Sequence, residues 1–312
     1  MRTPDRSSSR AHAVQGRPDA DVLTNPRSER VRSVRRLAGR PSRVRAGLFL
    51  AEGPQAVREA VRPGPSGTVA AREVYGTVEA LARHEDVVAD ALAAGTVVRP
   101  CTAEVLAEMA DTVTPQGLVA VCRPVDVPLA TALARRPALV AVLAEVRDPG
   151  NAGAVLRAAD AAGAGAVVLS AGSVDVHNPK CVRSTAGSLF HVDVVVGADL
   201  GETVASLRAC GAAVLAADGD GPADLDDLAD EAERRTGPLA GPVAWLFGTE
   251  AQGLSAEQRA LADAVVRVPI HGRAESLNLA TAATVCLYAA ARAHRRLRAD
   301  AGPRAAGSVG AP

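Results

Sequence analysis

Aromatic residues are scarce in this chain of 312 residues. They make up 2 % of it, so any core must be built from Ala, Val and Leu. A hydrophobic share of 48 % is enough for such a core, and the length allows two ordinary domains. Lysine is rarer still: Lys180 is the only one, and Arg carries all other positive charge. The formal net charge is zero, which removes any global argument for a polyanionic partner. That zero hides an asymmetry, with Arg gathered in the first 45 residues and acids between Asp218 and Glu233. The cysteines at 101, 122, 181, 210 and 286 form no C-x-x-C and have no paired His spacing. This argues against zinc and against a disulfide framework, and suits a reducing cytoplasm. No metal is expected. There is no apolar run of about twenty residues. The Arg/Ser-rich start has no apolar core of a signal peptide, so neither a membrane span nor secretion is expected.

Several catalytic signatures are missing too. There is no G-x-x-x-x-G-K-[ST] phosphate cradle and no G-x-S-x-G elbow. The run "ALVAVLAEV" is not followed by G-x-G-x-x-G, which weakens a dinucleotide-binding reading.

What is present is a regular alternation of strands and helices. Residues 1–25 are polar, with Pro, Gly and Ser, and predict a disordered arm. Residues 26–125 predict a small α/β domain: an Arg-rich helix near Pro26–Leu37, then "GLFLAEGPQAVREAV", "AREVYGT", "GTVVRPCT", "AEVLAEMA" and "GLVAVCRP". Residues 126–136 predict a linker, and 296–312 a disordered tail. Between them, residues 137–295 predict a parallel α/β domain. Its strands would be "ALVAVLAEV", "AVVLS", "HVDVVV", "AAVLAAD", "VAWLFG" and "AVVRVPI", the apolar runs of strands buried on both faces.

Ligands of a parallel sheet bind beyond the carboxyl ends of its strands. Three such ends carry polar loops. In "EVRDPGNAGAVLRAAD", Asn151 has two readings, a plain helix N-cap or a site residue. Arg157 follows at the edge of an apolar face, where a snorkelling side chain is the ordinary explanation. In "WLFGTEAQGLS", Gly248 and Gly253 bracket Glu250, and Ser255 with Gln258 spells a capping box. In "VPIHGRAESLNLATAATV", Ser276 and Asn278 stand at a helix start, where free N–H groups cap a helix or hold a ligand. Asn178-Pro179 reads as N-cap and N1. His84, His177, His191 and His294 read as surface or capping residues rather than ligands; His271 lies within the third loop.

Taken in order, "DPGNAGAVLRAADAAGAGAVVL", "LFGTEAQGLS" and "VPIHGRAESLNLATAATV" strongly resemble the three motifs of the SpoU (TrmH-like) family of RNA 2'-O-ribose methyltransferases. "HNPKCVRSTAGSLF" also resembles a segment of that family, with Thr185 where Ser is usual. "FLAEGPQAVREA" more weakly resembles the family's N-terminal substrate-binding domain, which is similar to ribosomal protein L30e.

The resemblance implies a SPOUT-type α/β catalytic domain with a C-terminal trefoil knot, plus a small α/β L30e-like domain. It implies S-adenosyl-L-methionine as cofactor and a homodimer with the site at the subunit interface. Gly248, Val268, Ile270 and Leu277 would lie about the cofactor. Asn151, Arg157, Glu250, Ser276 and Asn278 would form the catalytic constellation. The implied reaction is methylation of a ribose 2'-hydroxyl in structured RNA, 23S rRNA first and tRNA second. The competing readings are a non-catalytic RNA-binding relative and, more remotely, a nicotinamide-dependent dehydrogenase. Arg36, Arg40, Arg43 and Arg45 are candidates for phosphate contacts.

Overall fold

The computed structural model describes residues 22–300. Most of the expected arm and tail, residues 1–21 and 301–312, lies outside the described residues. Regular backbone passes both limits read from composition: Leu23 bridges Cys101, and the last helix runs to Asp300.

The first part contains α1 (Glu29–Arg35), α2 (Arg40–Ala46), β1 (Phe49–Glu52), α3 (Pro54–Ala60), β2 (Ala71–Thr77), α4 (Val78–Arg83), α5 (Glu85–Ala93), β3 (Val97–Cys101), α6 (Ala103–Met109) and β4 (Leu118–Cys122). Its strands lie in the order β1-β4-β2-β3, with β4 antiparallel to both neighbours. Ser28, Thr77 and Thr102 each start a helix by accepting the N–H three residues on. The segment read as a linker contains α7 (Leu129–Ala134), which folds because Ala132 and Leu133 have apolar surface to bury.

The second part contains β5 (Leu139–Leu143), α8 (Pro149–Ala161), β6 (Ala166–Ser170), α9 (Pro179–Thr185), β7 (Asp193–Ala198), α10 (Leu200–Ala209), β8 (Ala213–Ala217), β9 (Ala223–Asp224), α11 (Leu225–Glu233), β10 (Val243–Phe247), α12 (Ala256–Ala260), β11 (Ala264–Arg267) and α13 (Leu279–Asp300). All its strand pairs are parallel, in the order β7-β6-β5-β10-β8-β11-β9. Every residue of β5, β6 and β10 is buried, as continuous apolar runs require. From β5 the chain steps outward to β6 and β7, then crosses to β8 on the far side. The switch falls at the β5–β10 pair, and in open parallel sheets ligands bind beyond the strand ends at such a point. Helix α8 packs against both α9 and α13. Gly153 makes the first packing possible, because a Cβ there would lie 2.5 Å from the Cys181 carbonyl oxygen.

One apolar cluster runs through both parts, from Phe49 and Val57 to Leu143 and Phe247. Polar ties reinforce it. Arg43 is not a phosphate contact: it is 5 % exposed, and its guanidinium donates to Asp175 Oδ2 at 2.6 Å and to the carbonyls of Leu37 and Ala38. Its aliphatic stem and its charge are both used inside the protein. Arg36 pairs with Glu29, while Arg40 and Arg45 are exposed without a partner among the described residues. His177 is not a surface residue either. It is wedged against the Phe49 ring at 4.6 Å, and desolvation lowers its pKa. His191 bridges the two parts through Asp160 (2.8 Å) and Glu59 (3.1 Å).

Removing one partner of a buried ion pair strands the other charge. Asp175→Ala is expected to cost about 3–5 kcal/mol in urea unfolding. A loss below about 1 kcal/mol would mean that the pair adds nothing to the junction.

Candidate active site

The first loop leaves β5 through Glu145, which adopts φ +55, a left-handed conformation uncommon for a side chain of its size. Asp148, not Asn151, caps α8: its Oδ1 accepts the Asn151 N–H at 2.8 Å, and Pro149 takes N1. The capping reading of Asn151 is therefore corrected. With Asp148 in that role, the Asn151 amide is free to reach other loops. Lys180 Nζ donates to Asp148 Oδ2 at 2.9 Å. That bond, followed by the Asn151 N–H, holds the Asp148 carboxyl below its ordinary pKa.

The second loop leaves β10 at Gly248. Thr249 and Gly253 exchange backbone hydrogen bonds of 3.0 Å and close a tight ring around Glu250. Gly248 is packed directly on that ring, where a Cβ would lie 2.2 Å from the Gly253 carbonyl carbon. Ser255 and Gln258 form the expected capping box. Gln258 also donates to Glu145 Oε1 at 3.1 Å, tying the second loop to the first.

The third loop runs from Val268 to Asn278. Val268 packs on the core, while Ile270 and Leu277 stand 38 % and 37 % exposed. Residues 270–277 make no backbone–backbone hydrogen bond among the described residues. Asn278 starts α13 by accepting the Ala280 N–H at 2.9 Å.

The three loops meet at Asn151. Its Nδ2 donates to Glu250 Oε1 at 3.2 Å, and its Oδ1 accepts from Asn278 Nδ2 at 3.1 Å. Glu250 Oε1 also accepts the Asp148 N–H at 3.2 Å. The structure thus joins Asn151, Glu250 and Asn278 directly. Arg157 and Ser276 stand outside this chain; both are exposed and have no hydrogen-bond partner among the described residues. The sequence reading missed Glu145, Asp148 and Lys180. The D-P-G-N turn pointed to Asp148, since Pro has no side-chain acceptor but fits N1. Lys180 had two signals, being the one lysine of the chain and lying in the family-like segment "HNPKCVRSTAGSLF".

Residues 138–288 match the model of the SpoU rRNA Methylase family, and residues 28–120 match the MRM3-like substrate binding domain. The 23S rRNA (guanosine(2553)-2'-O)-methyltransferase RlmP of Bacillus subtilis is 32 % identical over 267 residues, covering 85 % of this chain and 97 % of that one. The chain belongs to the SpoU family. A solved structure, the AdoMet-bound rRNA methyltransferase from Sinorhizobium meliloti, superposes with a TM-score of 0.72 at 30 % identity, covering 86 % of this chain and 97 % of that one. The SpoU methyltransferase AviRb from Streptomyces viridochromogenes, solved with the cofactor AdoMet, gives 0.70 at 30 % identity, covering 86 % and 99 %. The expected α/β class with a parallel sheet is the architecture of this SpoU chain.

Because Gly248 has no room for a Cβ, Gly248→Ala is expected to cost about 1–3 kcal/mol of stability. Thermal unfolding checks it, with Asp148→Ala beside it at about 1 kcal/mol for the lost cap. A Gly248→Ala protein that melts with the wild type would show that the ring is not closed.

Proposed function

We propose that this protein is a cytoplasmic S-adenosylmethionine-dependent enzyme that methylates a ribose 2'-hydroxyl of 23S rRNA. The observation that carries this reading is the convergence on Asn151 of all three motif loops, at the carboxyl ends of parallel strands. Family membership supplies the reaction class.

The loops fit the cofactor. Ile270 and Leu277 offer uncovered apolar surface, and the backbone groups of residues 270–277 have no hydrogen-bond partner among the described residues, which leaves them to a ligand. Gly248 would line the floor and Val268 the wall. S-adenosylmethionine brings a methyl group on a positively charged sulfur. The 2'-oxygen must lose its proton as it takes that methyl. Arg157 is too basic to accept the proton. Its role is to hydrogen-bond the oxygen or the adjacent phosphate and stabilise the developing negative charge. Asn151 and Asn278 orient the ribose, Ser276 lies beside them, and Glu250 fixes the Asn151 amide. The proton leaves to water or phosphate. Much of the rate comes from holding the two reactants in line.

The same reading includes a homodimer and a C-terminal segment threaded as a knot. On the outer face of α13, Val285 and Tyr288 are 40 % and 50 % exposed, beside a cavity of about 530 Å3 shared with α11. That face suits a second copy, and Tyr288→Arg is expected to yield a monomer in sedimentation equilibrium. An unchanged mass would place the contact elsewhere.

The reaction is tested by transfer of labelled methyl to total RNA from a strain lacking the gene, with 2'-O-methyl sites mapped by resistance to alkaline cleavage. One strong site in 23S rRNA is expected. A site in tRNA would redirect the substrate, and no transfer would refute the reaction. Arg157→Lys should lose at least about tenfold in kcat, since a point charge does not replace a planar fork. Full activity in that variant would remove Arg157 from the chemistry.

A further inference from the structure

Base recognition in single-stranded RNA usually relies on aromatic side chains as stacking platforms. Among the described residues, the first part exposes no Phe, Tyr or Trp. Phe49, Phe190, Phe247, Tyr75 and Trp245 are all buried, and the exposed aromatic, Tyr288, lies on α13. The junction of the two parts offers a different kind of surface.

A cavity of about 270 Å3 lies between the β1–α3 turn, the segment before β4 and helix α9. It is smaller than the roughly 300–1,000 Å3 of drug-sized ligand sites. Its framework is fixed. The buried Glu52 carboxylate accepts the N–H groups of Asp111 (3.1 Å) and Thr112 (3.3 Å). Arg183, from α9, donates to Asp111 at 3.1 Å and to Glu52 at 3.4 Å, joining the parts. Gln116 is set by two glycines. Gly53 has φ +90, and a Cβ there would come within 3.1 Å of Gln116 Oε1; Gly117 has φ +89, and its Cβ would meet Ala80 at 2.6 Å. On this fixed frame Gln55, Thr114 and Gln116 line the cavity, and their side-chain amides and hydroxyl have no hydrogen-bond partner among the described residues. Unpaired amides offering both donors and acceptors match the edge of a base. The Arg183 guanidinium supplies a flat stacking surface.

The cavity is close to the candidate active site. Arg183 and Lys180 are one turn apart on α9, about 4.5 Å of rise, and Lys180 bonds the cap of α8 below Asn151.

We propose that this cavity receives one unpaired nucleobase of the substrate RNA, within a few nucleotides of the methylated ribose, and reads its edge through Gln55 and Gln116. The proposal rests on the methyltransferase reading above. It makes the junction, rather than the basic face of α2, the determinant of which nucleotide is chosen.

The test uses the full chain and a synthetic RNA spanning the mapped nucleotide, with single abasic sites at each of three positions on either side. One abasic position is expected to raise the wild-type KM for RNA by about tenfold. Gln116→Ala and Gln55→Ala should raise KM for intact RNA similarly, yet be indifferent to that same abasic site. Their kcat and donor affinity should stay within about twofold of wild type. Both glutamines are exposed, so folding is expected to survive, which circular dichroism verifies. Variants that leave KM unchanged, or that multiply with every abasic site, would overturn the proposal. Failure of the wild type to methylate intact RNA would instead bring down the underlying reading.

Discussion

A single side-chain amide holds the candidate active site together. Asn151 lies 99 residues from Glu250 and 127 from Asn278, yet bonds both. An amide can do this because it donates at one atom and accepts at another. The carboxylate of Glu250 accepts only, so it fixes which end of Asn151 faces which loop. Each bond is solvent-exposed and contributes modestly to stability. Their value is geometric: they set the loop that would hold the cofactor against the helix that carries Arg157.

The rest of the structure makes that geometry repeatable. The parallel sheet delivers the ends of β5 and β10 side by side, because Leu143 and Phe247 are in register. Asp148 and Lys180 settle the first turn of α8, and the Gln258–Glu145 contact adds a second link between loops. At larger scale, the common apolar cluster and the Arg43–Asp175 pair join the substrate domain to the catalytic sheet. The two parts are thereby held in one fixed arrangement.

Much of this was legible in the residues. Continuous apolar runs marked β5, β6 and β10, since a strand covered on both faces has no polar side. The Ser255–Gln258 box and the Asn178-Pro179 start were read from local chemistry that folding did not alter. Part of what escaped depended on tertiary contact. Arg43 looks like any residue of an Arg-rich helix until Asp175, 132 residues away, is brought beside it. His177 gave no sign that Phe49 would cover it. Asn151 suited a cap, and only Pro149 at N1 reveals that the cap is Asp148. The two-residue β9 is too short to carry a periodic pattern.

The central claim is that Glu250 and Asn278 act on the reaction through Asn151. A double-mutant cycle of Glu250→Gln and Asn278→Ala, read in kcat/KM for methyl transfer, addresses it most directly. If one amide links them, the double variant should lose much less than the product of the two single losses. Losses that simply multiply would show that the two residues act independently, and that the chain through Asn151 is not what organises the site.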